Sequence, residues 1–202
     1  MQTPKTIAIA NAKGGAGKTI TAVTLAGYLH TLGSTVLFDG DESEGAIKWA
    51  KRGGEDFPFG VLPASRYHEW QRGSFTYTLF DTHPSVEDVE TAASIADLVI
   101  IPAVPDGTDT DGLLLTIATL QRVQCKNFKV LLTRVPSYAT KAAADLREGL
   151  QAMGVNVFTA QIPRLDVFGK AATQGLVVNQ LHNKTASRAW EAYVALGKEI
   201  LA

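Results

Sequence analysis

Nine consecutive residues, Asn11-Ala12-Lys13-Gly14-Gly15-Ala16-Gly17-Lys18-Thr19, carry the densest chemical information in this chain. Three glycines within four positions let backbone N–H groups turn inward without Cβ clashes. A helix opening directly behind them would add its unbonded N–H groups and the positive end of its dipole, so the stretch suits an anion. Lys18 would neutralise the β- and γ-phosphates of a nucleotide. The Thr19 hydroxyl could ligate Mg²⁺, a hard cation that keeps most of its waters and takes one or two protein oxygens. The pattern G-x-x-x-x-G-K-[ST] is met at Gly17, Lys18 and Thr19, while Ala12 stands at its first glycine and a second lysine, Lys13, opens the loop. The competing reading is a glycine-rich turn with incidental lysines, and the flanks speak against it. Thr6 to Ala10 is apolar and β-prone, and Thr21 to Leu29 repeats its apolar residues at helical spacing. Strand, glycine loop and helix form the context a phosphate loop needs.

Carboxylates stand where such a loop would use them. Thr35-Val36-Leu37-Phe38 is strand-like and runs into Asp39-Gly40-Asp41; Phe75 to Phe80 is strand-like and ends at Asp81. Residues at the C-terminal ends of parallel strands face the ligand crevice of an open α/β sheet. Alternation along an extended chain puts Asp39 and Asp41 on one side. Asp81 would hold a Mg²⁺-bound water opposite Thr19. Aspartates commonly end strands, and a D-x-D pair can be a solvated acidic turn; their coincidence with the loop gives these three their meaning. His83, beside a strand end, receives no role.

The elements needed to hold these groups follow in alternation. After Gly33 and the second strand, Ser43 to Arg52 reads as a helix and Phe59 to Leu62 as a short strand, with no strong period from Gly53 to Gly73. Val86 to Ala96 is helical. Leu98 to Val104 is a continuous apolar run suited to a central strand covered on both faces. Thr110 to Val123 reads as helix, Phe128 to Thr133 as strand, Thr140 to Met153 as helix, Val155 to Ala160 as the last strand, and Ser187 to Leu201 as a helix with one apolar face. The expected fold is α/β: a three-layer sandwich whose mostly parallel, doubly wound sheet is flanked by helices. With 202 residues, 46% hydrophobic and 19% charged, the chain suits one domain spanning 1–202. A net charge of −1 provides no bulk field for nucleic acid or membrane, so any DNA contact needs a local patch. The single Cys125 rules out an intramolecular disulfide. No run approaches 20 apolar residues and no signal-like segment opens the chain, so the expected location is the cytoplasm, without a membrane partner.

The segment K-G-G-A-G-K-T resembles the deviant Walker A motif of the ParA/MinD family of P-loop ATPases, with Lys13 as its signature lysine. The lone cysteine separates it from the nitrogenase iron-protein branch of that superfamily, which needs two per subunit. The resemblance implies ATP and Mg²⁺ as cofactors and an ATP-dependent homodimer in which Lys13 of one subunit reaches the phosphates bound by the other. It implies a cradle of Gly14, Gly15, Ala16, Gly17, Lys18, Thr19 and Ile20, a metal set of Thr19, Asp39 and Asp81, and Asp41 orienting the attacking water. Lys13, Lys18 and Asp41 are then the catalytic residues. Asp81, Thr82 and Pro84 match the family's D-T-x-P, with His83 where a proline is common. Glu42 and Ser43 depart from D-x-D-P-Q, which leaves the backbone after Asp41 less restrained. Ile20 replaces a threonine whose hydroxyl meets the α-phosphate. Pro105 to Asp109 resembles a dimer-interface loop. Thr133 and Arg134 lie in a segment resembling the one near the adenine, and Ile162-Pro163-Arg164, with Ala171 and Gly175, resembles the final nucleotide-side loop.

Relatives of the ParA type bind DNA without sequence preference through basic residues near the C-terminus, and Arg188, extended by Lys170 and Lys184, falls where such a patch is found. Solvated surface charge is the alternative. The function this resemblance implies is a DNA-segregation or cargo-positioning ATPase, nucleoid-associated when ATP-bound, whose hydrolysis is slow and stimulated by a ParB-like or other cargo-adaptor protein. With the loop opening at Asn11 and no helix-turn-helix segment ahead of it, operator binding would fall to that partner. Two alternatives stand beside it. A MinD-like membrane-surface regulator would need a basic amphipathic C-terminal helix. A metabolic amidase or synthetase on the same scaffold usually lacks a lysine at position 13.

Overall fold

The computed structural model describes residues 5–70, 74–105, 110–136 and 140–202. Its strands are β1 (Lys5–Ile9), β2 (Thr35–Asp39), β3 (Gly60–Pro63), β4 (Tyr77–Asp81), β5 (Leu98–Ala103), β6 (Phe128–Val135) and β7 (Val157–Pro163). They form one sheet in the order β3-β2-β4-β1-β5-β6-β7, and every pairing is parallel. The helices are α1 (Lys18–His30), α2 (Gly45–Gly53), α3 (Val86–Ile95), α4 (Thr110–Arg122), α5 (Thr140–Ala152), α6 (Val167–Gln174) and α7 (Lys184–Leu201).

Which face each helix covers follows from the strand order. A crossover between parallel strands is right-handed, so a connection running one way along the sheet lies on one face and its reverse on the other. From β1 the chain steps toward the β3 edge, which puts α1 and α2 on one face; from β4 it steps the opposite way, which puts α3, α4 and α5 on the other. Side-chain alternation agrees. Ile7, Ile9, Leu37, Leu79, Ile100 and Leu131 share a core with α1, α2, α6 and α7, whereas Ala8, Val36, Phe38, Phe80, Val99, Ile101 and Leu132 share a second core with α3 to α5. Buried on both sides, the central strands read as unbroken apolar runs. The crevice therefore opens at the C-terminal ends of β1, β2 and β4, where the connections diverge.

The border at β3 is blunted, and the β6–β7 pairing is irregular around residues 158–160. β3 is four residues long and ends in Pro63. On β7, the Glu199 carboxylate of α7 accepts the N–H groups of Thr159 (3.0 Å) and Ala160 (3.1 Å) and pairs with Lys129 Nζ at 2.6 Å.

Two stretches differ from the sequence expectation. The last strand starts and ends later than Val155 to Ala160, reaching Pro163. Residues expected to form a nucleotide-side loop instead divide into the end of β7 and α6, with Ala171 buried in that helix and Gly175 at its C-cap with φ +70°. The short apolar set Val167, Phe168, Ala171 is too brief to display a helical period. Gly175 is its stop signal.

Candidate nucleotide-binding site

Asn11 fixes the entry of the glycine loop. Its buried side chain donates to Pro102 O (2.8 Å), while its Oδ1 accepts the Lys13 N–H (2.9 Å). The loop then bends through left-handed conformations at Gly15 (φ +86°) and Gly17 (φ +93°), which side chains with a Cβ rarely adopt. Gly17 also caps α1, its carbonyl accepting Thr21 N at 3.0 Å. Two loop carbonyls are held by β6: Ala16 O by the Thr133 hydroxyl (2.8 Å) and Gly15 O by Arg134 Nη1 (3.1 Å). Engaging carbonyls on that side is how a loop of this kind can aim its N–H groups at an anion.

The two lysines of the loop have separate surroundings. Lys18 is buried, its ammonium donating to Lys13 O (3.1 Å) and Asn11 O (3.4 Å). Lys13 is exposed at the front of the loop.

Asp39 and Asp81 sit opposite each other at the ends of adjacent strands β2 and β4, 4% and 1% exposed. Asp39 accepts the N–H groups of Asp41 (3.1 Å) and Ile47 (3.0 Å), the latter in the first turn of α2; burial nevertheless keeps its carboxyl above the ordinary value. Both oxygens of Asp81 are buried without a hydrogen bond of normal geometry, although the Thr19 hydroxyl is near enough to favour the charged form. Burial above all, opposed by Thr19 and Lys18 and aided by the nearby Asp39 and Asp41, brings the Asp81 carboxyl up to about 7. A buried, unbonded carboxylate is costly until a cation completes it. Two acids and a hydroxyl of hard oxygen chemistry fit Mg²⁺, whose other ligands are water and phosphate oxygens. No cage of three or more His, Cys, Asp or Glu occurs among the described residues.

Asp41 lies just beyond, half-buried. Burial works against its charge, but the Ser43 hydroxyl and N–H, with His83 and Lys18, more than offset it and hold the carboxyl below its ordinary value. Ser43 N bonds Asp41 Oδ1 at 2.8 Å and Glu44 N bonds Asp41 O at 2.8 Å. The backbone after Asp41 is thus restrained by a side-chain turn, a correction to the looseness expected from the missing proline. His83, given no role in the sequence, has a buried Nδ1 without a partner and lies in the electrostatic neighbourhood of Asp41.

Behind the loop, a pocket of about 450 Å³ runs between α1, α6 and α7. Ile20, Thr21, Arg164, Asp166, Phe168 and Tyr193 line it, and the Thr21 and Tyr193 hydroxyls share a buried hydrogen bond of 3.2 Å. Its size and mixed lining suit a nucleoside. Thr133 and Arg134, expected beside the adenine, border the same pocket, but their polar groups hold the glycine loop. Arg134 does so from a left-handed backbone with φ +51°. Ile20 adds an apolar wall where a hydroxyl was expected. Arg164 falls in the Ile162-Pro163-Arg164 segment that the sequence marked as nucleotide-side, whereas Asp166, Phe168 and Tyr193 escaped the sequence reading as lining residues.

Lys170, Lys184 and Arg188 are exposed on α6 and α7. Arg188 borders a groove of about 380 Å³ together with Glu191, Gln161 and Pro163. The expected dimer-interface loop lies largely at 106–109, outside the described residues. No helix among the described residues is long and apolar enough to cross a membrane.

The family model described as the CobQ/CobB/MinD/ParA nucleotide binding domain matches residues 7–178. The chain is 30% identical over 203 residues to the maintenance of carboxysome distribution protein A of Gloeobacter kilaueensis, covering 98% of this chain and 94% of that one. It is 28% identical over 238 residues to the chromosome-partitioning ATPase Soj of Thermus thermophilus, covering 97% and 95%. In fold it resembles a plasmid partition protein of Borrelia burgdorferi bound to AMPPNP, with a TM-score of 0.74, 18% identity, and 98% and 99% of the two chains covered.

Proposed function

The chain belongs to the CobQ/CobB/MinD/ParA nucleotide-binding family, and we propose that within it the protein is an ATP-dependent dimerising ATPase that positions cargo along DNA. The observation that carries this is the pair of lysines on one loop. Lys18 is turned inward over the loop carbonyls, the place for a cation serving its own nucleotide, whereas Lys13 stands exposed at the front, where it can reach a ligand held by another copy. Metabolic amidases on this scaffold usually lack a lysine at this position, which favours the dimer reading.

In this proposal the loop N–H groups and Lys18 bind the phosphates, and the pocket of Phe168 and Tyr193 holds the nucleoside. Thr19, Asp39 and Asp81 would hold Mg²⁺, which supplies charge neutralisation at the β- and γ-phosphates. Asp41, ionised and restrained by Ser43, orients the water that attacks the γ-phosphate. Placing that water in line and countering charge is most of what phosphoryl transfer needs from a protein. The Ile20 side chain removes one hydroxyl contact but leaves the backbone cradle in place.

DNA contact would come from Lys170, Lys184 and Arg188, each phosphate contact releasing counterions and so weakening with salt. A relative named for carboxysome distribution and another named for chromosome partitioning support cargo positioning through a ParB-like or other adaptor protein that stimulates hydrolysis. The test is retention on nonspecific DNA with Mg-ATP against Mg-ADP, repeated for Lys13→Ala. Retention that needs both ATP and Lys13 is expected. A Lys13→Ala protein with full retention and turnover would remove the shared-cation dimer.

A further inference from the structure

The slot in which Lys13 lies is open because residue 112, in the first turn of α4, has no side chain. A Cβ placed on Gly112 would come within 2.5 Å of the Lys13 Cβ, 3.0 Å of its Cδ and 3.3 Å of its Cγ. Contacts between such carbons are ordinarily about 3.5–4.0 Å. The distal part of a lysine can swing away from an obstacle, but its Cβ moves only with its own Cα, so a methyl group at 112 would turn Lys13 at the mouth of the loop, ahead of the Gly14–Thr19 cradle.

The same stretch of α4 grips the residues before Lys13. The Thr116 hydroxyl, one turn beyond Gly112, accepts the Ala12 N–H (2.9 Å) and shares its proton between Gly112 O (2.7 Å) and Asn11 Oδ1 (3.3 Å). Asn11 Oδ1 in turn accepts Lys13 N. The Thr116 hydroxyl thus holds the Ala12 N–H and the Asn11 side chain, Lys13 N is tied to α4 through Asn11, and the Lys13 stem runs over the one position there that offers no bulk. Glycine is a poor helix former, so its presence inside α4 needs a reason other than the helix.

We propose that Gly112 is the positioning residue for Lys13: it sets the direction in which the Lys13 ammonium leaves the loop, and so whether it meets the phosphates of a second copy. This rests on the shared-cation reading of Lys13. It assigns Gly112 no contact with the nucleotide bound to its own chain.

The experiment compares the full chain with Gly112→Ala, Lys13→Ala and the double variant, measuring ADP affinity by calorimetry and AMPPNP-dependent dimerisation by light scattering. Gly112→Ala is expected to bind ADP like the parent while needing at least tenfold more protein to dimerise. In the Lys13→Ala background it should add no further loss, because there is no ammonium left to misdirect. Thr116→Val, which keeps the shape and removes the Ala12 bond, should shift dimerisation the same way by about threefold, and it carries the test if Gly112→Ala fails to fold. Parental dimerisation of Gly112→Ala, a loss fully additive with that of Lys13→Ala, or a matching fall in ADP affinity would each overturn the proposal. Parental dimerisation of Lys13→Ala would instead overturn the reading beneath it.

Discussion

The two ends of the crevice are built on opposite plans. At the proposed metal end, Asp39 and Asp81 finish adjacent strands, are almost wholly buried, and take their positions from the sheet register. At the nucleoside end, Arg134, Arg164 and Asp166 are exposed, and the pocket is assembled from α1, α6, α7 and the ends of β6 and β7. Rigid strands hold charge against its desolvation cost; the loops and helix starts at the other end supply shape at little electrostatic expense. The difference teaches where a substitution should be felt as chemistry and where as fit.

Lys18→Ala should give the largest effect. Charge-assisted hydrogen bonds contribute about 1.5–3 kcal/mol, so ATP affinity should fall roughly tenfold to a hundredfold in calorimetric titration. Near-parental affinity would mean that the backbone cradle alone binds phosphate and that the metal end is less electrostatic than its burial implies.

Asp81→Asn sharpens the contrast by pulling function and stability apart. The Asp81 carboxyl, raised by burial from an ordinary 3.8 to about 7, binds its proton more tightly folded than unfolded. Its contribution to stability is therefore fully present below about pH 4 and is lost as pH rises through about 7. Without its cation the parent should melt at progressively lower temperature across that interval, while Asp81→Asn should stay flat and melt higher at pH 8. The same substitution should reduce the Mg²⁺-dependent gain in ATP affinity about tenfold, and in the parent that gain should climb with pH and level off above about 7. A melting temperature for Asp81→Asn below the parent's at pH 8 would contradict the placement of an uncompensated charge there.

The smallest effect is expected at the open end. Arg134→Ala removes one exposed hydrogen bond to Gly15 O, of about 0.5–1.5 kcal/mol, so ATP affinity should drop threefold to tenfold with its pH and Mg²⁺ dependence unchanged. A change in Mg²⁺ dependence would show that the two ends are not separable.

The same division decides what could be read in the sequence. The glycine loop and the three aspartates are local: each is a few residues long, follows its own strand, and its chemistry depends on spacing that the sequence displays. The central strands were legible because burial on both faces leaves long apolar runs, whereas the half-exposed outer strands β3 and β7 gave only a short or shifted signal. The pocket behind the loop was not legible, since Ile20, Phe168 and Tyr193 lie far apart in the chain and meet only once the whole sheet has formed, and α6 is too short for a period. Thr133 and Arg134 were placed in the right region, but that their polar groups would be spent on loop carbonyls depends on the β6 register. Ser43 acts through a turn that a substitution away from proline conceals, and Gly112 acts through a contact that exists only once α4 lies against the loop.

The short β3 border has a consequence for crowding. Any protein gathered in many copies meets its neighbours at high local concentration, and an open sheet border is then an invitation to fibrils. Here a carboxylate satisfies two amides left over where the β6–β7 pairing is irregular, and at the opposite border a proline closes a strand only four residues long. Growth by strand addition is thereby disfavoured at the β3 border.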